Sequence, residues 1–75
     1  MPAVPSAKAK IAVRAFNKFG FAYNRKRGSH IILVKPEYDT ILVIPSHGND
    51  PLRKGTLRSL IRDAGITVQD FIDAM

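Results

Sequence analysis

The fold of this chain is decided by residues 21–45, FAYNRKRGSHIILVKPEYDTILVIP. Phe21–Arg25 alternates Phe21 and Tyr23 against Ala22 and Asn24, the period-two pattern of a strand with one buried face. Lys26-Arg27-Gly28-Ser29 reads as a turn. His30–Val34 follows and is rich in β-branched residues, which suit a pleated surface. Lys35–Asp39, broken by Pro36, is a loop, and Thr40–Ile44 makes a third strand. Pro45 stops that strand because it has no N–H to give to a ladder. Connections this short join antiparallel neighbours, so the stretch predicts a three-stranded meander.

Working outward, both flanks read as helix. Ile11, Ala12, Ala15, Phe16 and Phe19 recur at helical spacing, with Lys10, Arg14, Asn17 and Lys18 on the opposite side. Ser6 is the expected N-cap and Gly20 the expected stop. Met1–Pro5, with two prolines, reads as a loose tail. On the other flank, Ser46–Lys54 is a loop broken by Gly48, Asn49, Asp50 and Pro51. A second helix spans Lys54–Ala64, with Leu57, Leu60, Ile61 and Ala64 as its apolar stripe and Arg58 and Arg62 on its polar side. Gly65 and Ile66 suit a Schellman ending. Thr67, with Asp70 three positions on, opens a short third helix through a capping box, anchored by Phe71 and Met75. The chain is thus expected to be one domain over residues 1–75, of the α+β class. Two helices cover one face of a three-stranded antiparallel sheet, with a short C-terminal helix added. This α-β-β-β-α layout is dsRBD-like, that of the double-stranded-RNA-binding domain.

Composition bounds the function. At 75 residues the chain buries only about 60% of its unfolded surface, which argues against a deep cofactor pocket; no cofactor is expected. An apolar fraction of 45% is that of a folded globule. With no cysteine there is no disulfide, thiolate metal site or thiol nucleophile. The net charge of +6 is unevenly placed. Residues 1–36 hold eight basic side chains and no acid, and residues 37–75 hold four basic and six acidic ones. An electropositive face attracts polyanions, with nucleic acid the first candidate and an anionic membrane surface the second. A merely soluble basic domain is the plain alternative. The longest apolar runs, Ile31–Val34 and Ile41–Ile44, fall far short of the ~20 residues of a membrane span. No signal-peptide pattern opens the chain, so the cytoplasm is expected.

Two histidines, His30 and His47, are the candidates for proton transfer near neutral pH. His30 starts a strand just after Arg25, Lys26, Arg27, Gly28 and Ser29. A phosphate drawn to those cations lies beside an imidazole, and glycine lets a backbone N–H approach it closely. That combination suits RNA cleavage through the ribose 2′-hydroxyl. The alternative for His30 is an ordinary half-buried strand position, and for His47 an ordinary loop histidine. Two histidines without an acidic cluster make a poor metal site, since most need three or four protein ligands. Lys54-Gly55-Thr56 at the second helix start, with Arg53 and Arg58 nearby, is a second place for a phosphate, because a helix N-terminus offers unpaired N–H groups. Simple capping by Thr56 is the alternative.

Five motifs in order carry a resemblance. They are Phe19-Gly20-Phe21, Arg27-Gly28-Ser29-His30, Val43-Ile44-Pro45-Ser46-His47-Gly48-Asn49, Lys54-Gly55-Thr56-Leu57-Arg58, and Ala64-Gly65-Ile66 followed by Phe71. Together they resemble the HicA family of toxin ribonucleases from toxin–antitoxin pairs, over about Ala15 to Phe71. The resemblance implies a dsRBD-like fold and cleavage of messenger RNA without a required metal. It also implies neutralisation by a HicB antitoxin that covers the active site. The family's catalytic histidine, in its Gly-Ser-His motif, falls on His30, and its Pro-x-His loop falls on His47, carried over as a substrate or structural residue. Many relatives have a second histidine directly after that motif, where this chain has Ile31, Ile32 and Leu33. The N-terminus is also longer and more basic than the family's usual start.

The reading is therefore a cytoplasmic toxin endoribonuclease with catalytic His30. Its substrate-binding residues are Arg25, Lys26, Arg27, Gly28, Ser29, His47, Lys54, Thr56 and Arg58. Its partners are messenger RNA and a HicB-like antitoxin, with no membrane and no metal. A non-catalytic RNA-binding module of the same fold is the alternative, and an interaction domain that docks an acidic protein is the third.

Overall fold

The computed structural model describes residues 2–75. In chain order it has α1 (Ala9–Asn17), β1 (Ala22–Arg27), β2 (His30–Val34), β3 (Leu42–Pro45), α2 (Lys54–Asp63) and α3 (Val68–Ala74). The strands pair antiparallel in the order β1-β2-β3, the expected meander. This is the α+β arrangement read from the sequence. Among the described residues no helix is long and apolar enough to cross a membrane.

The apolar stripes of the helices meet one face of the sheet. Ala12, Ala15 and Phe16 of α1 and Leu57, Leu60 and Ile61 of α2 join Leu33, Leu42 and Ile44 of the sheet in one buried cluster. Phe16 is its hub, with ring centroids 6.5 Å from Phe21 and 5.2 Å from Phe71. Burial of each such side chain contributes about 1.5–3 kcal/mol. Alternation along β2 sends Ile31 and Leu33 toward the helices and His30, Ile32 and Val34 to the opposite face, where Val43 of β3 joins them.

Local signals at the C-terminal end are realised as read. Ile66 N–H donates to Ile61 O and Gly65 N–H to Arg62 O, the two bonds of a Schellman motif. Gly65 holds φ at 75°, and a Cβ there would stand 3.2 Å from the Tyr38 hydroxyl. Asp70 N–H donates to Thr67 Oγ1, and Thr67 N–H donates to an Asp70 carboxylate oxygen, both at 3.0 Å, completing the capping box of α3.

Four expectations are corrected. Ser6 does not cap α1; the helix starts at Ala9 after Lys8, with no side-chain cap. The reason is long-range: Lys8 pairs with Pro51 in an antiparallel bridge, which keeps residues 7 and 8 extended. The segment read as a loose tail is anchored, since Val4 is 3% exposed and belongs to the core cluster; Met1 lies outside the described residues. β1 does not alternate. Phe21 is buried ahead of it, and all six residues of β1 are exposed. A register shift between Tyr23 and Arg25 inserts Asn24 as an extra residue, and β1 is an edge strand. Met75 does not anchor α3, being 48% exposed, and Phe71 alone of that pair is buried.

Candidate nucleic-acid interface

The β1–β2 hairpin closes through two residues, Gly28 and Ser29, with Arg27 opposite His30. Gly28 has a φ of 58°, whereas Ser29 is not among the residues of positive φ. A positive φ at the first turn position alone is the pattern of a type II′ turn, which takes glycine there and matches the twist of the strands. β1 thus runs two residues further than the sequence suggested, and Lys26 and Arg27 are strand residues rather than turn residues.

This register sorts the cations. Arg27 stands across from His30 and Arg25 across from Ile32, on the face away from the helices. Lys26 stands across from Ile31 on the other face, so it does not join them. His30, Arg25 and Arg27 are all exposed, and opposite neighbours in a ladder lie about 5 Å apart. An accessible imidazole on the same sheet face as Arg27 and Arg25, the latter donating from Nη1 to Asn24 Oδ1 at 2.9 Å, is suited to a phosphodiester, because guanidinium binds phosphate oxygens in a bidentate fork. Two other cations of the basic half have structural tasks. Lys18 Nζ donates to Ala74 O at 2.8 Å at the end of α3, and Lys35 Nζ lies 5.5 Å and 5.4 Å from the Phe21 and Tyr38 ring centroids.

The second histidine is brought near by β3. Pro45, expected beyond the strand, is its last residue and pairs with His30. A proline is tolerated at the end of an edge strand, where its missing N–H is not needed. Ser46 N–H then donates to Ser29 O at 2.7 Å, tying the Gly-Ser-His turn to the Pro-Ser-His loop. Beyond that bond opens a cleft of about 470 Å³, lined by Pro45, His47, Asp50, Pro51, Leu52, Arg53 and Thr56. Pro45 therefore belongs both to the ladder beside His30 and to the cleft.

The start of α2 forms one wall of this cleft. Its N-cap residue is Arg53, no side chain caps the first turn, and no acid lies in that turn. The capping role considered for Thr56 is therefore absent, and Thr56 lines the cleft half-buried. Such a helix start presents backbone N–H groups and a partial positive charge to an anion. Lys54 is exposed at the first position of α2. Arg58 is elsewhere: it lines an apolar groove with Pro2, Ile61, Arg62, Ile66 and Val68. Asp50 and Leu52 were not among the sequence candidates; Asp50 N–H donates to His47 O at 3.2 Å within the loop, and Leu52 is placed by its bond to Ala7 O. Among the described residues, His, Asp and Glu nowhere gather in a group of three that would hold a metal ion.

The chain matches no curated protein. The model of one family, described as "HicA toxin of bacterial toxin-antitoxin", matches residues 9–66. That span holds both histidine turns, the whole sheet and all of α2. With more than half of the chain matched, the protein belongs to the HicA toxin family and is a toxin of a toxin–antitoxin system.

Proposed function

We propose that this toxin is an endoribonuclease acting on messenger RNA, with His30 as the proton-transferring group and no required metal. The observation that supports it most is the exposed His30 beside Arg27 and Arg25 on the helix-free face of the sheet. In the neutral form, the imidazole takes the proton of a ribose 2′-hydroxyl. The 2′-oxygen bonds to the adjacent phosphorus, the bond from phosphorus to the 5′-oxygen breaks, and that oxygen takes a proton from water. Arg25 and Arg27 hold the phosphate oxygens on which charge accumulates, together with the N–H groups of the Gly28-Ser29 turn. A positioned acid–base group contributes about 10²–10⁴-fold in rate.

The cleft at the start of α2 extends the binding surface. His47, Thr56 and Arg53 receive a neighbouring phosphate, with Lys54 beside them. Lys26 and Arg58, displaced from both places, contribute through the overall field and not through contact. Recognition through phosphates and shape, rather than base edges, fits a protein with this surface.

Neutralisation belongs to the same face. Ile41 and Val43 are 47% and 41% exposed, and they lie beside the strand that carries Ile32 and Val34. A cognate HicB-like antitoxin that covers this apolar patch and pairs acids with Arg25 and Arg27 also covers His30. The toxin acts in the cytoplasm, where messenger RNA is available.

The test is incubation of RNA with purified wild-type protein and His30→Ala, each with and without EDTA. Cleavage by the wild type in EDTA and none by the variant supports the proposal. Cleavage abolished by EDTA, or retained by a folded His30→Ala, overturns the assignment.

A further inference from the structure

The residues ahead of α1 are held against the far side of the His47 cleft. Val4 and Ala7 are 3% and 4% exposed and share the core cluster with Leu52. Ala7 O accepts the Leu52 N–H at 2.8 Å, and Lys8 bridges Pro51. Pro2, at the other end, lines the groove beside Ile61 and Val68. Residues 2–8 therefore run alongside α2, from the groove near its C-terminal half to the segment just before its start. They precede the span matched by the family model, residues 9–66.

This placement bears on how α2 begins. A helix start is commonly fixed by a side-chain cap that occupies its free N–H groups. α2 has none, although Arg53 sits in the extended N-cap conformation, with φ of −61° and ψ of 140°. What fixes the entry instead is the chain immediately before it: Pro51 bridged to Lys8, Leu52 hydrogen-bonded to Ala7 and buried at 7%. We propose that residues 4–8 are a positioning strap. Val4 and Ala7 act through Leu52 to hold Arg53 and Thr56 in the cleft, and so replace a capping side chain while the first-turn N–H groups of α2 stay open to substrate. The proposal rests on the reading of the cleft as a phosphate subsite.

Two full-length variants test it. Val4→Ala removes the anchor, and Ala7→Gly loosens the strap backbone while deleting only a methyl group. Amide hydrogen exchange reports the strap with no reference to activity. Protection of the Leu52 amide, and of the Leu57 amide that donates to Arg53 O, is expected to fall by about tenfold or more relative to the amides of β2. On a short single-stranded oligoribonucleotide, KM is expected to rise about 3- to 10-fold, the worth of one or two weakened contacts, with kcat held within about twofold. Val4→Ile, which keeps a β-branched apolar anchor, leaves both readouts near wild type. A uniform rise in exchange across the chain, or an unchanged Leu52 amide in a folded variant, overturns the strap. So does a fall in kcat at constant KM. If the wild type cleaves no RNA, the exchange experiment still decides on the strap, so its failure and that of the ribonuclease reading are separable.

Discussion

The two histidine-bearing turns are built in opposite ways. His30 closes a two-residue hairpin whose geometry is local, with Gly28 at φ 58°, Arg27 opposite, and a regular ladder behind. His47 opens a short turn of its own, with Gly48 at φ 61° and Asp50 N–H donating to His47 O, but the ends of its loop are fixed from a distance, by Ser29 through Ser46 and by Ala7 through Leu52. The first turn presents an exposed imidazole next to a regular ladder. The second shapes a cleft of about 470 Å³ against an uncapped helix start. On the proposed reading the contrast becomes a division of labour, with chemistry assigned to the hairpin turn and substrate holding to the cleft.

Exchanging each histidine for alanine tests that division with the largest expected effect. His30→Ala lowers the cleavage rate about 10²–10⁴-fold with the fold intact, because the side chain is exposed. His47→Ala raises KM and leaves kcat near wild type, as loss of a contact made equally in ground and transition states does. Steady-state kinetics on one oligoribonucleotide, with circular dichroism as the control for folding, distinguishes the two.

Next comes the hairpin itself. A Cβ on Gly28 meets nothing within 4 Å, so Gly28→Ala is opposed only by backbone strain at its positive φ, about 1–3 kcal/mol for a non-glycine residue in a sparsely populated region. Thermal unfolding is expected to shift down by about 4–8 °C per kcal/mol in a domain of this size. Cleavage falls with it, because His30 immediately follows the turn.

The cations give a smaller and more graded comparison. Arg25→Ala and Arg27→Ala each remove one phosphate contact. Each is expected to flatten the dependence of log K on log salt by about 0.7 for single-stranded RNA. Lys26→Ala, on the opposite face, leaves that slope near wild type. A salt titration of RNA affinity reads both. The smallest effect belongs to α2. Arg53→Ala or Thr56→Ala raises KM about 3- to 10-fold, and Arg58→Ala, in its separate groove, less than about twofold. Equal effects of Arg53 and Arg58 would merge the cleft with the general field of the protein.

What was legible in the sequence follows the same line between local and distant causes. The meander, the Schellman ending at Gly65, the Thr67–Asp70 capping box and the place of His30 at the start of β2 all rest on neighbours within a few residues. Ser6 offered a valid local cap and lost to the pairing of residues 7 and 8 with residues 51 and 52, which no local pattern encodes. The same pairing placed Val4 in the core and Leu52 beneath the cleft. On β1, the extra residue at Asn24 and the edge position cancelled the alternation that Phe21 and Tyr23 suggested. Lys26 and Arg58 looked equivalent to the other cations by charge, and only register and helix face separated them from His30 and from the cleft.

The proposed ribonuclease activity requires that His30 perform chemistry and not merely binding. Single-turnover cleavage and equilibrium affinity, measured on the same oligoribonucleotide for wild type and His30→Ala, test it most directly. For His30→Ala, affinity is expected within a few-fold of wild type and the cleavage rate reduced by about 10² or more. A folded variant that cleaves at the wild-type rate, or whose lost cleavage is matched by an equal loss of affinity, contradicts it and leaves a protein that only binds RNA.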